Sequence, residues 1–158
     1  MELPNRKLPR LKNYDYATPN YYFVTICTHK KQYLFGAPEK LNDYGFTTKI
    51  HINQICSHFS EIQIDKYVIM PNHIHCIVKI GCSAAEERSR PFPTLSHIIG
   101  LYKSGVTREI HKRNPQLKIW QKSFHDHIIR NEKDYQKIWE YIDTNPLKWK
   151  EDCFYTNS

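Results

Sequence analysis

The spacing of apolar residues along the chain predicts alternating strands and helices. Tyr21 to Thr28 is dense in aromatic and β-branched residues, which favour a pleated, half-buried strand. Residues 45–59 place Phe46, Ile50, Ile55, Cys56 and Phe59 near a helical period, so a helix is expected with those side chains inward. Ile62 to Met70 reads as a second strand, and Pro71-Asn72 breaks it. His73 to Ile80 is a third strand, with Ile74, Cys76, Val78 and Ile80 on one face. Leu95, Ile98, Ile99, Tyr102, Val106 and Ile110 mark an amphipathic helix, with Thr94 placed to cap it. Gly100 and Gly105 inside it each cost ~1 kcal/mol relative to Ala, so that helix depends on packing. Ile119 to Phe124 is expected to form a short fourth strand, and Glu132 to Asn145 a last helix ended by Pro146. Residues 1–19 lack periodicity and read as an arm, and residues 81–93 as a mobile connection.

The order β-α-β-β-α-β-α predicts an α+β domain. Four strands and two helices in the split arrangement give a ferredoxin-like antiparallel sheet covered by helices on one face, with one more helix at the C-terminal end. At 158 residues, one domain over 1–158 is expected.

Charge changes this picture. The formal net charge is +7. Between Arg88 and Lys122 eight basic residues stand against the single acid Glu109, so this stretch alone equals the net charge. It includes Lys103, Arg108, Lys112 and Arg113. A second cluster, Arg6, Lys7, Arg10 and Lys12, lies in the arm. Segregated positive charge suits a phosphate-backbone partner, although a solvated basic face gives the same count. The 21 aromatics exclude a disordered chain and offer stacking surfaces for unpaired bases. No apolar run reaches the ~18–20 residues of a membrane span, and no hydrophobic stretch follows the first charges, so neither a membrane partner nor secretion is expected. Five cysteines, at 27, 56, 76, 82 and 153, show no metal-knuckle spacing and read as reduced, buried thiols of a cytoplasmic protein.

Two His-x-His pairs carry candidate chemistry. On a strand, His73 and His75 point to one side, where two imidazoles a strand step apart can share a metal ion. Two partly buried structural histidines would leave the same trace. His125 and His127 fall where a strand end or loop is expected, and read as surface or hydrogen-bonding histidines. Tyr141 and Asn145 stand at i and i+4, on one face of the last helix with Ile138 and Ile142. A core tyrosine beside a helix-terminal asparagine fits that periodicity too. Tyr135 lies roughly 240° around the helix from Tyr141 and cannot share its site. Were the histidine strand and this helix to face each other, two imidazoles and a carboxamide oxygen would hold a divalent ion beside a phenol. All three ligands are neutral, so the ion would keep its double charge and act on a phosphate as a Lewis acid.

Three blocks occur in order: Tyr22-Phe23-Val24-Thr25, then Val68-Ile69-Met70-Pro71-Asn72-His73-Ile74-His75, then Tyr141-Ile142-Asp143-Thr144-Asn145-Pro146. Together they resemble the single-tyrosine transposases whose motif is His-hydrophobic-His, and most of all the REP-associated tyrosine transposases. The resemblance spans roughly residues 10–150. It implies a ferredoxin-like nuclease that cleaves and rejoins single-stranded DNA near hairpins, in the prokaryotic cytoplasm at the nucleoid. It implies His73 and His75 as metal ligands, Tyr141 as the nucleophile forming a 5′-phosphotyrosine link, and Asn145 as third ligand, where insertion-sequence transposases usually carry Gln. The implied cofactor is a divalent metal ion, Mg²⁺ or Mn²⁺. The implied partner is single-stranded or hairpin DNA, and a homodimer is compatible, since dimers are usual in the mobile relatives. Two other readings stay open. One is a catalytically silent, domesticated nucleic-acid-binding module, and the other a metal-dependent hydrolase that uses water.

Overall fold

The computed structural model describes residues 11, 13–81 and 91–155. The elements run β1 (Asn20–Cys27), β2 (Gly36–Ala37), β3 (Lys40–Leu41), α1 (Asp43–His58), β4 (Ile62–Met70), β5 (His73–Ile80), α2 (Leu95–His111), β6 (His125–Ile129) and α3 (Glu132–Thr144). The main sheet has the order β4-β5-β1-β6 and is antiparallel throughout. Leaving aside the two-stranded β2-β3 hairpin, which the sequence pattern did not signal, this is the expected ferredoxin-like order. Among the described residues, no helix is long and apolar enough to cross a membrane.

Strand alternation divides the sheet into two packed faces. On one face Val24, Ile26, Ile74, Cys76 and Val78 meet Ile52 and Ile55 of α1 and Ile98, Ile99 and Val106 of α2. On the other, Ile77, Ile129, Phe23 and Val68 meet Ile142, Ile138 and Trp139 of α3. Ile142 is fully buried, and that burial contributes about 1.5–3 kcal/mol to holding α3 on the sheet. The faces therefore differ in kind. The α1/α2 face is the main core, and the α3 face is a smaller core that leaves room at one end for polar chemistry.

Local signals account for the helix starts. Asn42, Thr94 and Asn131 cap α1, α2 and α3, each side chain accepting a backbone N–H two or three residues into the helix. Gly105 of α2 lies so close to α1 that a Cβ there would sit 2.9 Å from His51 Nδ1, which explains a helix-weakening residue in mid-helix.

Four expectations are corrected. The fourth strand is His125–Ile129, not Ile119–Phe124. The earlier segment makes only an isolated bridge, Thr28 to Trp120, while Ile119 and Phe124 are buried as loop residues. Helix α1 turns a different stripe inward: Gly45, Thr48, Ile52 and Ile55 are buried, whereas Phe46 (52%), Ile50 (55%) and Cys56 are exposed. The inward stripe contains Gly and Thr because the backbone itself is close-packed there. A Cβ at Gly45 would lie 2.3 Å from the Phe35 carbonyl oxygen, and Thr48 donates its hydroxyl to the Gly45 carbonyl. The arm is not wholly loose, since Tyr14 and Tyr16 pack edge-on against each other and on Tyr22. The thiols are free but not all buried: Cys27 and Cys76 are, Cys56 and Cys153 are not. Burial pushes Cys27 up to about 11 and Cys76 up to about 12, which makes both inert as nucleophiles. Cys82 and most of the connection lie outside the described residues.

Candidate active site

The β4–β5 hairpin turns on Pro71-Asn72, and β5 then runs through the middle of the sheet. Its register against β1 pairs Cys27 with His73 and Thr25 with His75. Alternation sends Ile74 into the main core and both imidazoles to the α3 face. Their ring centroids lie 4.5 Å apart, and both side chains are buried.

Each imidazole is held by its Nδ1. His73 Nδ1 donates to Asn72 Oδ1 at 2.8 Å, and Asn72 Nδ2 in turn donates to the Phe154 carbonyl at 2.7 Å. With the Asn72 amide so oriented, His73 carries its proton on Nδ1 and a lone pair on Nε2. His75 Nδ1 is hydrogen-bonded to Thr25 Oγ1 at 2.8 Å.

Helix α3 brings the other two residues. The backbone at Asn145 stays helical (φ −57°, ψ −42°), so Tyr141 and Asn145 share a face. The Tyr141 ring lies 5.2 Å from that of His75 and 6.1 Å from Phe23, both edge-on, and is 42% exposed. Asn145 is buried and donates Nδ2 to Asp152 Oδ2 at 2.8 Å. Tyr135 is engaged elsewhere, its hydroxyl on Asp65 and its ring edge-on to Tyr21.

Among the described residues, the buried side-chain N or O atoms without a hydrogen-bond partner are His73 Nε2, His75 Nε2 and Asn145 Oδ1. Leaving such an atom unpaired costs about 1–3 kcal/mol, so three in one place are not a packing accident. All three are electron-pair donors of the kinds that suit a divalent ion, so the residues present fit the metal that the resemblance implies.

The electrostatics agree. Burial pushes the His73 imidazole down to about 3, against an opposing effect of the nearby Asn145 amide. Burial likewise holds His75 well below the ordinary value, helped by its neighbour His73. Both are therefore neutral, the form that binds metal. Burial first, and then the Asp152 charge, push the Tyr141 phenol up to about 12, while Asn145 works the other way. An open depression of about 610 Å³ reaches Tyr141, Asn145 and Asp152, with Cys153, Lys137 and Lys148 among its other walls, while the buried His73 and His75 do not line it.

Among the described residues, the predicted basic ones are not brought to this cluster. Lys103, Arg108, Lys112 and Arg113 ride on or just beyond α2, which packs on the opposite face of the sheet. Lys103 donates to the carbonyls of Gln121 (3.0 Å) and Ser123, Lys112 pairs with Glu109 at 2.8 Å, and Arg113 pairs with Asp43 at 3.1 Å. Arg108 is exposed. Arg6, Lys7, Arg10 and Lys12 lie outside the described residues.

Sequence reasoning missed Thr25, Asn72 and Asp152. Asn72 carried a faint signal, being an amide beside a histidine in a tight turn. Asp152 carried none, because it reaches the site through the irregular chain after Pro146.

Comparison with known proteins accords with this geometry. The family model described as Transposase IS200 like matches residues 16–145. An uncharacterized protein of Haemophilus influenzae is 36% identical over 170 residues, spanning 97% of this chain and 94% of that protein. The REP-associated tyrosine transposase of Escherichia coli is 33% identical over 89 residues, covering 54% of this chain and 45% of that protein. Among solved structures, a REP-associated tyrosine transposase bound to a REP hairpin shares the fold, with a TM-score of 0.59 at 21% identity over 89% of this chain and 73% of the other. With the family model spanning most of its length, the chain belongs to the IS200-like transposase family and is a homologue of the REP-associated tyrosine transposases.

Proposed function

We propose that the chain is a metal-dependent single-stranded DNA endonuclease and strand transferase acting near hairpins. Tyr141 is its nucleophile, and His73, His75 and Asn145 hold Mg²⁺ or Mn²⁺. The observation that carries this reading is the convergence of three unpartnered donor atoms beside a half-exposed phenol. Membership of a transposase family supports DNA nicking and joining in general. The hairpin bound by the structural neighbour supports hairpin DNA as the partner.

Bound at these atoms, a divalent ion supplies positive charge that polarises a phosphate oxygen. The chain does the rest. Asn72 and Thr25 fix the imidazoles so that each Nε2 faces the site. Helix α3 holds the Tyr141 phenol against His75, at the mouth of the depression where a phosphodiester can enter. The phenol oxygen attacks phosphorus in line. The Oη–P bond forms, the P–O3′ bond breaks, the phenolic proton is lost, and the departing oxygen takes up a proton as a 3′-hydroxyl. The 5′-phosphotyrosine keeps a phosphodiester, so attack by a 3′-hydroxyl reverses the step and rejoins strands. The Tyr141 phenol, pushed up to about 12 chiefly by burial, is protonated at neutral pH, so its proton has to leave as the Oη–P bond forms.

The test is a denaturing gel with 5′- and 3′-labelled single-stranded hairpin DNA from the gene's own flanks, with Mg²⁺, Mn²⁺ or chelator. A metal-dependent, protease-sensitive adduct carrying the 3′-labelled fragment is expected. Tyr141→Phe should abolish it while DNA binding persists, and Tyr135→Phe should retain it. An adduct in Tyr141→Phe would overturn the assignment. Tight binding with no adduct in the unaltered protein would instead favour a silent DNA-binding module.

A further inference from the structure

Beyond the three neutral donors, we propose that Asp152 is a fourth, anionic ligand of the metal centre, a role that rests on the reading just given. The Asp152 side chain is 1% exposed, and its Oδ2 lies 3.8 Å from His73 Nε2. That is too long for a hydrogen bond. It is within the about 4.2 Å that two ligands on one ion can span when each sits about 2.1 Å from it. Donor atoms of His73, His75 and Asp152 all lie within 4.8 Å of one another, at most about 0.6 Å beyond that span.

The protonation pattern makes the facing atoms alike. His73 Nδ1 donates to Asn72, so Nε2 presents a lone pair to a carboxylate oxygen. Two electron-pair donors turned toward each other in a buried site repel, unless a cation joins them. Among the described residues, the one ionisable group paired with Asp152 within 4 Å is His73, and it is neutral.

The carboxylate is also built into place. Its Oδ1 accepts the Phe154 N–H at 2.8 Å, and its Oδ2 accepts Asn145 Nδ2 at 2.8 Å while keeping a second lone pair. The Asn145 bond turns that amide so that Oδ1 is left for the site. Phe154 closes the circuit, its carbonyl accepting from Asn72 and its ring lying 4.3 Å from that of His73. Asp152 therefore ligates with one lone pair and orients Asn145 with another. The set becomes two nitrogens and two oxygens with one negative charge, which lowers the charge of the centre from +2 to +1 and favours the oxygen-seeking Mg²⁺ and Mn²⁺.

Isothermal titration with Mn²⁺ tests this on the full chain and on Asp152→Asn, which keeps shape but removes charge. Asp152→Asn should bind Mn²⁺ at least tenfold more weakly. In chelator Asp152→Asn trades a buried charge for an amide that accepts only one of the two hydrogen bonds Asp152 accepts, so melting in chelator serves to show that the variant folds, and the Mn²⁺ affinity of the folded variant carries the test. Equal Mn²⁺ affinity in the two proteins overturns the ligand assignment and leaves the tyrosine–histidine reading intact. No Mn²⁺ uptake by the unaltered chain overturns both. Should Asp152→Asn fail to fold, a crystal of the unaltered chain soaked in Mn²⁺ decides. An anomalous peak bonded to both His73 Nε2 and Asp152 Oδ2 is expected, and a peak on the histidines with Asp152 beyond bonding distance overturns the proposal.

Discussion

The sheet carries the His-x-His motif twice on one face, and one copy, His73 and His75, stands beside Tyr141. His73 and His75 lie on β5, His125 and His127 on β6, and β1 runs between them. Thr25 pairs in register with His75 on one side and His125 on the other, so the two motifs are side by side, about 9–10 Å apart across two strand spacings. Spacing and facing are the same. Cover and partners differ. The β5 pair sits on an inner strand, roofed by α3 and by Phe154, with each Nδ1 held and each Nε2 unpartnered. The β6 pair is exposed on an edge strand, and His127 Nε2 bonds Asp134 at 2.7 Å. A strand His-x-His is thus suited to hold a metal when burial keeps it neutral and a bond at one nitrogen aims the other. Sequence spacing supplies neither condition.

The sharpest way to break this contrast is to remove the histidines one motif at a time. His73→Ala and His75→Ala should each weaken Mn²⁺ binding by at least about 100-fold in calorimetric titration, since a ligand itself is lost rather than its support. His125→Ala and His127→Ala should stay within about twofold, the size of a surface change. Metal binding lost through the β6 pair would invert the comparison.

A finer cut leaves all four histidines in place. Asn72→Ala removes the acceptor that keeps the His73 proton on Nδ1. The ring is then free to carry its proton on Nε2, facing the site. Mn²⁺ affinity should fall about 10–100-fold, the usual effect of losing such a support. Chemical denaturation in chelator should also show about 1–3 kcal/mol lost, because the Phe154 carbonyl loses its buried donor. Unchanged affinity would mean that the tautomer is fixed by something other than Asn72.

The contrast also shows what a sequence can and cannot disclose. Three of the four strands of the sheet and the three helices were legible in the sequence, and Thr94 was recognisable as a cap because capping is local. The β5 face was legible because alternation is rigid: Ile74 inward forces His73 and His75 outward. The fourth strand was misplaced by about six residues because Ile119 and Phe124 are apolar for a different reason, as buried loop residues beneath α2. That shift hid the fact that His125 and His127 lie on a strand at all. The α1 phase failed because its inner stripe is chosen for closeness of backbones, Gly45 and Thr48, rather than for apolar bulk. Tyr141 and Asn145 were visible as an i, i+4 pair. Asp152 was not, since no periodic rule connects a residue in irregular chain to a strand about eighty residues earlier in the sequence.

The smallest effect lies in the pH dependence of the metal-free protein, where the two motifs act in different windows. His73 is pushed down to about 3 from an ordinary 6.5, chiefly by burial. A depressed histidine leaves stability untouched above about 6.5, where folded and unfolded chains are both neutral. Below that the unfolded chain takes up a proton that the folded chain refuses, so stability falls until the pH reaches about 3. In that window each such histidine steepens the fall of the folding constant by up to roughly tenfold per pH unit. At the β6 pair the shifted group is the carboxyl of Asp134 on α3, held below its ordinary 3.8 first of all by the His127 hydrogen bond. Its contribution is present above about 3.8 and is lost only as pH falls below that. Urea denaturation in chelator between pH 6.5 and 4.5 should therefore show a shallower loss of stability in His73→Gln than in the unaltered protein. Asp134→Asn should keep the unaltered slope there and depart from it only at lower pH. Equal slopes for His73→Gln and the unaltered chain would mean that His73 takes up a proton in the folded protein, and the neutral, buried imidazole that separates the β5 motif from its neighbour would be lost.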